Sequence, residues 1–298
     1  MKLSYAIQDY LSYLKLERGL SHNTLEAYGR DLTQFSIEAS VPAAGQIERR
    51  HLNDFVGRLS RQGLKPATIA RKLSCVRQFL RYLVKRGELS EKSLIAMNAP
   101  RIARYHPSYL SVEEVARIID SVDPKSRNGL RNRAILELLY GCGLRISELI
   151  HLRWSDIEME AGFVRVRGKG NKQRLTPLGE YARRSLLQLD ESRSVTAVDS
   201  PLVFPNRRGM PFSRVNLWKL VKTAVLRAGI AKSVSPHTFR HSFATHMLAG
   251  GADLRVVQEM LGHADISTTQ VYTKVDRDYL IAEHRKYHPR ELAKADRE

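Results

Sequence analysis

Phe163-Val-Arg-Val-Arg-Gly-Lys-Gly-Asn-Lys-Gln-Arg-Leu-Thr-Pro177 is the stretch that sets the fold class. Phe163 to Arg167 alternate apolar and basic residues, as a half-buried strand does. Gly168-Lys-Gly-Asn171 supplies a glycine turn, and a partner strand runs near Arg174 to Pro177. Elsewhere the apolar residues recur at helical spacing. The chain therefore reads as mainly α, with a second half that is α+β and holds a small antiparallel β-sheet.

Upstream of the hairpin, Ser111 followed by Glu114 forms a helix-starting capping box. Helices over Asn128 to Tyr140 and Arg145 to Leu152 come next, separated by Gly141-Cys-Gly143. Further upstream, Pro100, the basic run Arg101 to Arg104 and Pro107 mark a linker, because proline ends helices and restricts its predecessor. The expected organisation is a helical domain over 1–100, a linker over 101–107 and a second domain over 108–298. In the first domain Ile7, Tyr10, Leu11 and Leu14 keep helical spacing up to Gly19, and Ser21 opens a run through Leu25, Tyr28, Leu32 and Phe35. A third helix spans about Leu52 to Leu59 and ends by Gly63. In the fourth, after Pro66, Ile69, Leu73, Val76, Leu80 and Leu83 make one apolar stripe, with Arg71, Ser74, Gln78, Arg81 and Lys85 opposite. That polar face suits the backbone of a nucleic acid and equally suits plain solvation.

The chain has 298 residues, 49 Lys and Arg against 31 Asp and Glu, and a formal charge of +18. With 43% hydrophobic residues it is too apolar for a disordered basic tail, and its surplus points to a polyanionic partner. Residues 1–105 hold 18 basic and 9 acidic residues, so the excess belongs to both bodies, as in a clamp along a backbone. Apolar stretches are short and broken by charges, which argues against a membrane span, and an acid near the N-terminus argues against an export signal. Two cysteines, Cys75 and Cys142, fit a reducing compartment, and the expected location is cytoplasmic.

Four motifs in the second domain carry candidate chemistry. In Gly141-Cys-Gly-Leu-Arg145-Ile-Ser-Glu148, an arginine fork at a helix start suits a pair of phosphate oxygens, and Glu148 three residues on is placed to hold it. The same spacing also fits a surface ion pair. Lys169, between glycines at the hairpin tip, is placed to approach a backbone and donate a proton, although lysine is common in turns. In Ser235-Pro-His237-Thr-Phe-Arg240-His241, serine and proline fix a helix start and put His237 and Arg240 on one face. His237 and His241 are also spaced as metal ligands, but the glutamate of a zinc helix is missing. In Leu261-Gly-His263 with Ser267, Gln270 and Tyr272, Gly262 closes a helix and Tyr272 follows on a short one. Tyr272 alone would be a packing residue.

Together, in this order, these motifs resemble the tyrosine recombinase (phage integrase) family. Its pattern is an arginine in a Gly-Leu-Arg-x-x-Glu-Leu box, a hairpin lysine, a His-x-x-Arg pair, a Leu-Gly-His, and a tyrosine nine residues after that histidine. Arg145, Lys169, His237, Arg240, His263 and Tyr272 stand at those positions. The length, the four-helix N-terminal body and the ending Lys286-Tyr-His-Pro289-Arg look like the bacterial Xer branch, which resolves chromosome dimers. The resemblance departs at Cys142, where relatives often have threonine, and at Lys274, where Xer proteins usually have histidine.

The resemblance implies an N-terminal SAM-like core-binding domain and a catalytic domain that cuts and rejoins DNA through a 3′-phosphotyrosyl intermediate and a Holliday junction. It makes Tyr272 the nucleophile, Arg145, Arg240 and His263 the phosphate holders, His237 the base, Lys169 the acid and Glu148 the support of Arg145. On that reading the polar face of the fourth helix, Arg71, Ser74, Gln78, Arg81 and Lys85, and the linker arginines Arg101 and Arg104 are expected to contact DNA. The partners it implies are double-stranded DNA, three further subunits in a homotetramer or a heterotetramer with a paralogue, and a septal DNA translocase, with no membrane. Neither metal nor ATP is expected, because the chain lacks a phosphate-loop motif and an obvious carboxylate cluster. The same features leave room for a mobile-element integrase or a non-catalytic DNA-binding regulator. Tyr279 is the rival nucleophile, for which an apolar helix face is the simpler reading. Truncation after Lys274 is expected to spare folding of the monomer.

Overall fold

A computed structural model describes residues 1–91, 109–167, 173–193, 200–262 and 274–295. The chain divides into two compact units, Met1–His106 and Pro107–Glu298.

The first unit is built from α1 (Leu3–Leu16), α2 (His22–Ala39), α3 (Arg49–Arg61) and α4 (Pro66–Lys85), with a 3₁₀ turn at Ala44–Gln46. Pro66 starts α4 at the position where a missing N–H costs nothing. The expected stripe Ile69, Leu73, Val76, Leu80 and Leu83 is buried, and so are Cys75, Phe79 and Tyr82. The buried arc is wider than one stripe because α4 packs against α1, α2 and α3. Aromatic pairs close the core, Tyr10 with Phe79 at 5.4 Å and Phe35 edge-on to Phe55 at 5.3 Å between ring centres.

In the second unit, α5 (Val112–Asp120) is opened by the expected capping box. The Glu114 N–H donates to Ser111 Oγ at 3.2 Å, and the Ser111 N–H donates to Glu114 at 2.7 Å. α6 (Gly129–Gly141) is buried all round from Ala134 onward, because α5, α8 (Glu180–Arg193) and α10 (Pro236–Gly250) all pack against it. α7 is shorter than expected, Ile146–Ile150, with Arg145 as its N-cap instead of its first turn. The sheet is antiparallel in the order β1 (Ile157–Glu158), β2 (Phe163–Arg167), β3 (Gln173–Pro177). Register pairs Val166 with Arg174 and Val164 with Thr176, so Arg174 and Thr176 share a face with two buried valines. β1, two residues long, carries no alternation to read. α9 (Arg214–Arg227) and α11 (Leu254–Leu261) complete the body ahead of the tail helices α12 (Lys274–Tyr287) and α13 (Pro289–Ala295).

The tail helices correct one expectation. α12 sends Leu280 into the core at 3% exposure, and its buried His284 donates from Nε2 to the Gly141 carbonyl at 2.8 Å. In α13, Arg290 pairs with the buried Glu137 and stacks over Tyr181 at 4.1 Å. Removing everything after Lys274 would open this core and strand the Glu137 carboxylate, so it would not spare the monomer. Tyr279 is 53% exposed, so Leu280 is the packed residue of that pair. No helix among the described residues is long and apolar enough to cross a membrane.

Candidate active site

The site is built around one carboxylate. Glu148 sits in the first turn of α7, where its Oε2 accepts the Arg145 N–H at 2.7 Å, and its Oε1 accepts Arg145 Nη1 at 2.8 Å. Arg174, reaching from β3, gives the same carboxylate a two-pronged bond at 2.6 and 2.8 Å. Arg240, in α10, lies with its Nη1 3.9 Å from Glu148 Oε2. Burial alone would raise the Glu148 carboxyl, but Arg174 and then Arg145 hold it down to about 2.

Backbone carbonyls seat the arginines. Arg145 Nη2 donates to the Gly262 carbonyl at 3.0 Å, while Arg240 donates to Gly143 at 2.6 Å and Leu261 at 2.5 Å. Gly143 and Gly262 both have positive φ, 58° and 65°. A Cβ at Gly143 would fall 2.8 Å from Phe243, and one at Gly262 would fall 2.7 Å from Arg174. Glycine at these positions therefore turns a carbonyl toward each arginine without a clash.

Charge in this pocket does not balance among the described residues. Three guanidiniums surround a single carboxylate, and burial, with Arg145 and Arg174 nearby, pushes the Arg240 guanidinium down to about 9. A buried excess of positive charge is stabilised by an anion. A guanidinium has five N–H donors. Among the described residues Arg145 and Arg240 each spend two on the oxygens above, which leaves three on each without a partner there. Arg145 is 36% exposed at its side chain and is the accessible member, whereas Arg174 at 6% is enclosed.

His237 opens α10 behind Ser235, whose Oγ accepts the Thr238 N–H at 3.3 Å. It is exposed and makes no hydrogen bond among the described residues, so a proton-transfer position is open to it. His246 is buried against Tyr140, 2.8 Å from its hydroxyl. Cys142 is fully buried, with its thiol pushed up to about 12 by burial, and its carbonyl accepts the Thr176 hydroxyl at 3.0 Å. Lys169, His263, Tyr272, Arg101 and Arg104 lie outside the described residues.

On α4, Arg71, Ser74, Gln78, Arg81 and Lys85 are all exposed on one side, as the periodicity implied. Arg71 is not uncommitted, because its guanidinium grips Asp31, which Lys72 also bonds at 2.8 Å. Gln78 accepts a 3.4 Å bond from Tyr28. Arg81 and Lys85 make no ion pair among the described residues.

Arg174 escaped the sequence reading as a site residue. Its signal was strand parity, since two residues before the buried Thr176 and across from Val166 it must point inward. A buried arginine on a strand needs a buried carboxylate.

The Phage integrase family model matches residues 108–278, and the model of the phage integrase N-terminal SAM-like domain matches residues 7–87. A tyrosine recombinase XerD from Oceanobacillus iheyensis is 43% identical over 296 residues, covering 97% of this chain and 99% of that protein. Among solved structures, XerH site-specific recombinase bound to palindromic difH in a post-cleavage complex superposes with a TM-score of 0.69. It is 24% identical, covering 90% of this chain and 81% of that one. A lambda integrase tetramer bound to a Holliday junction gives a TM-score of 0.68 at 19% identity, covering 92% and 80%.

Proposed function

This chain belongs to the phage integrase family and is a site-specific tyrosine recombinase, and from that premise we propose that it breaks and rejoins DNA at the pocket of Arg145 and Arg240 with Tyr272 as nucleophile. The observation that carries the reading is the surplus of buried guanidinium charge around Glu148, with donors left over on Arg145 and Arg240. A phosphodiester brings the matching charge, which grows on its non-bridging oxygens in the transition state. By comparison with other preorganised donors, each arginine is worth about 3–4 kcal/mol there.

The Tyr272 hydroxyl passes its proton to His237 as its oxygen attacks phosphorus. The bond from phosphorus to the 5′ oxygen breaks, and Lys169 protonates that oxygen, leaving a 3′-phosphotyrosyl link and a free 5′ hydroxyl. His263 adds a donor to the phosphate. Attack by a 5′ hydroxyl from a partner strand reverses the step and forms a Holliday junction. The ester bond is exchanged at each stage, so its energy is conserved without ATP.

The N-terminal domain over 1–100, the linker arginines Arg101 and Arg104 and the catalytic domain over 108–298 all hold duplex DNA, in a tetramer on the recombination site. Similarity to a tyrosine recombinase XerD supports a chromosomal role. In that role the protein resolves dimers in the cytoplasm before division, alone or with a paralogue and under a septal DNA translocase. A nicked suicide site tests the chemistry. In EDTA the protein should become covalently attached and four-armed junctions should form on intact sites; binding without attachment would make it a DNA-binding regulator.

A further inference from the structure

Among the three arginines at Glu148, Arg174 is the most enclosed. Its Nη1 and Nη2 both go to Glu148, at 2.6 and 2.8 Å, and its Nε donates to the Met260 carbonyl at 2.8 Å. Its aliphatic stem lies against Gly262, where an added Cβ would come within 2.7 Å of Cδ. The segment so held, Met260 to Gly262, ends in the two carbonyls that seat the other arginines, Leu261 for Arg240 and Gly262 for Arg145. Arg174 thus touches the carboxylate on one side of the pocket and the carbonyl turn on the other.

We infer that Arg174 is a positioning residue for phosphate capture, fixing Arg145 and Arg240 through Glu148 and the Met260–Gly262 turn without itself meeting DNA. The inference rests on the proposed role of Arg145 and Arg240. A planar fork is required, because a lysine is a point donor and cannot bridge both Glu148 oxygens while also holding the Met260 carbonyl. Arg174 lies one residue past Gln173, the first residue of β3 after the hairpin connection that carries Lys169, so this strand also anchors the clamp.

The experiment compares Arg174→Met and Arg174→Lys with wild type in single-turnover cleavage of a nicked site. The scissile phosphate is either ordinary or a methylphosphonate, which lacks the charge that arginines must neutralise. A clamp misplaced by about an ångström costs roughly a hundredfold. Arg174→Met should lose that much on the phosphodiester with DNA affinity unchanged, and the loss should shrink at least about tenfold on the methylphosphonate. Arg174→Lys should fall between. Wild-type cleavage by Arg174→Met, or equal losses on both substrates in a folded variant, would overturn the inference. Should Arg174→Met fail to fold, Arg174→Lys decides by the same comparison. Wild type failing to cleave either substrate would instead defeat the proposed function.

Discussion

Arg145 and Glu148 are joined twice, through the Arg145 backbone N–H at 2.7 Å and through Nη1 at 2.8 Å. The first bond caps α7, and the second aims the guanidinium. One carboxylate thus builds the helix start and orients the side chain that the helix start presents. Replacing it separates stability from geometry. Glu148→Gln keeps the shape but leaves three guanidiniums without their counter-charge, so about 3–5 kcal/mol of stability should go, measured by urea unfolding. Because the folded carboxyl is held near 2, this contribution is complete above the ordinary carboxylate range and fades only as pH falls toward 2.

Acid should act earlier through the tail. His284 is buried against Gly141, with burial pushing it down to about 4, and His288 stacks on it at 4.6 Å and is likewise pushed well below the ordinary histidine range by burial. Both stay neutral in the fold but take up protons on unfolding once pH drops below about 6.5. Stability is thus full above that value and falls as pH goes from about 6.5 toward 4, by about 1.4 kcal/mol per pH unit for His284, with His288 adding in the same direction. Unfolding series at pH 7, 6 and 5 read the slope directly, and His284→Gln should flatten it.

Gly143→Ala tests the carbonyl that seats Arg240. The left-handed backbone alone costs about 1–2 kcal/mol for a non-glycine residue, and the added methyl must displace both Phe243 and Leu261. Cleavage should fall well beyond the loss of thermal stability, because the carbonyl moves with the backbone.

Much of the fold could be read from the chain because periodicity reports burial. The helices of the first unit, the β2–β3 pair and the capping box at Ser111 all stand where apolar spacing and turn residues put them. The site was legible as a set of residue types, and Arg145, Glu148, Arg240 and His237 follow from local motifs. What spacing could not give is the convergence of distant segments. Arg174 meets Glu148 across 26 positions, and the Gly143 and Gly262 carbonyls act as acceptors that no side-chain pattern records. The docking of the tail is hidden for the same reason, since the partners of His284 and Arg290 lie more than 100 positions away, in α6.

Affinity and rate should separate. Arg81→Ala and Lys85→Ala, whose charges are uncommitted among the described residues, should each lower the salt slope of DNA binding by about 1. Arg71→Ala should also destabilise the first unit, because Asp31 loses a partner. Titrations of binding against salt, with unfolding curves alongside, distinguish the two cases.

The most direct measurement is the site of covalent attachment. The adduct trapped on a nicked suicide site in EDTA is digested and mapped by mass spectrometry. The expected result is a nucleotide esterified through its 3′ phosphate to the peptide containing Tyr272, and no adduct from a Tyr272→Phe variant that still binds DNA. Attachment at Tyr279, or an adduct that survives Tyr272→Phe, would contradict the assignment of nucleophile and clamp.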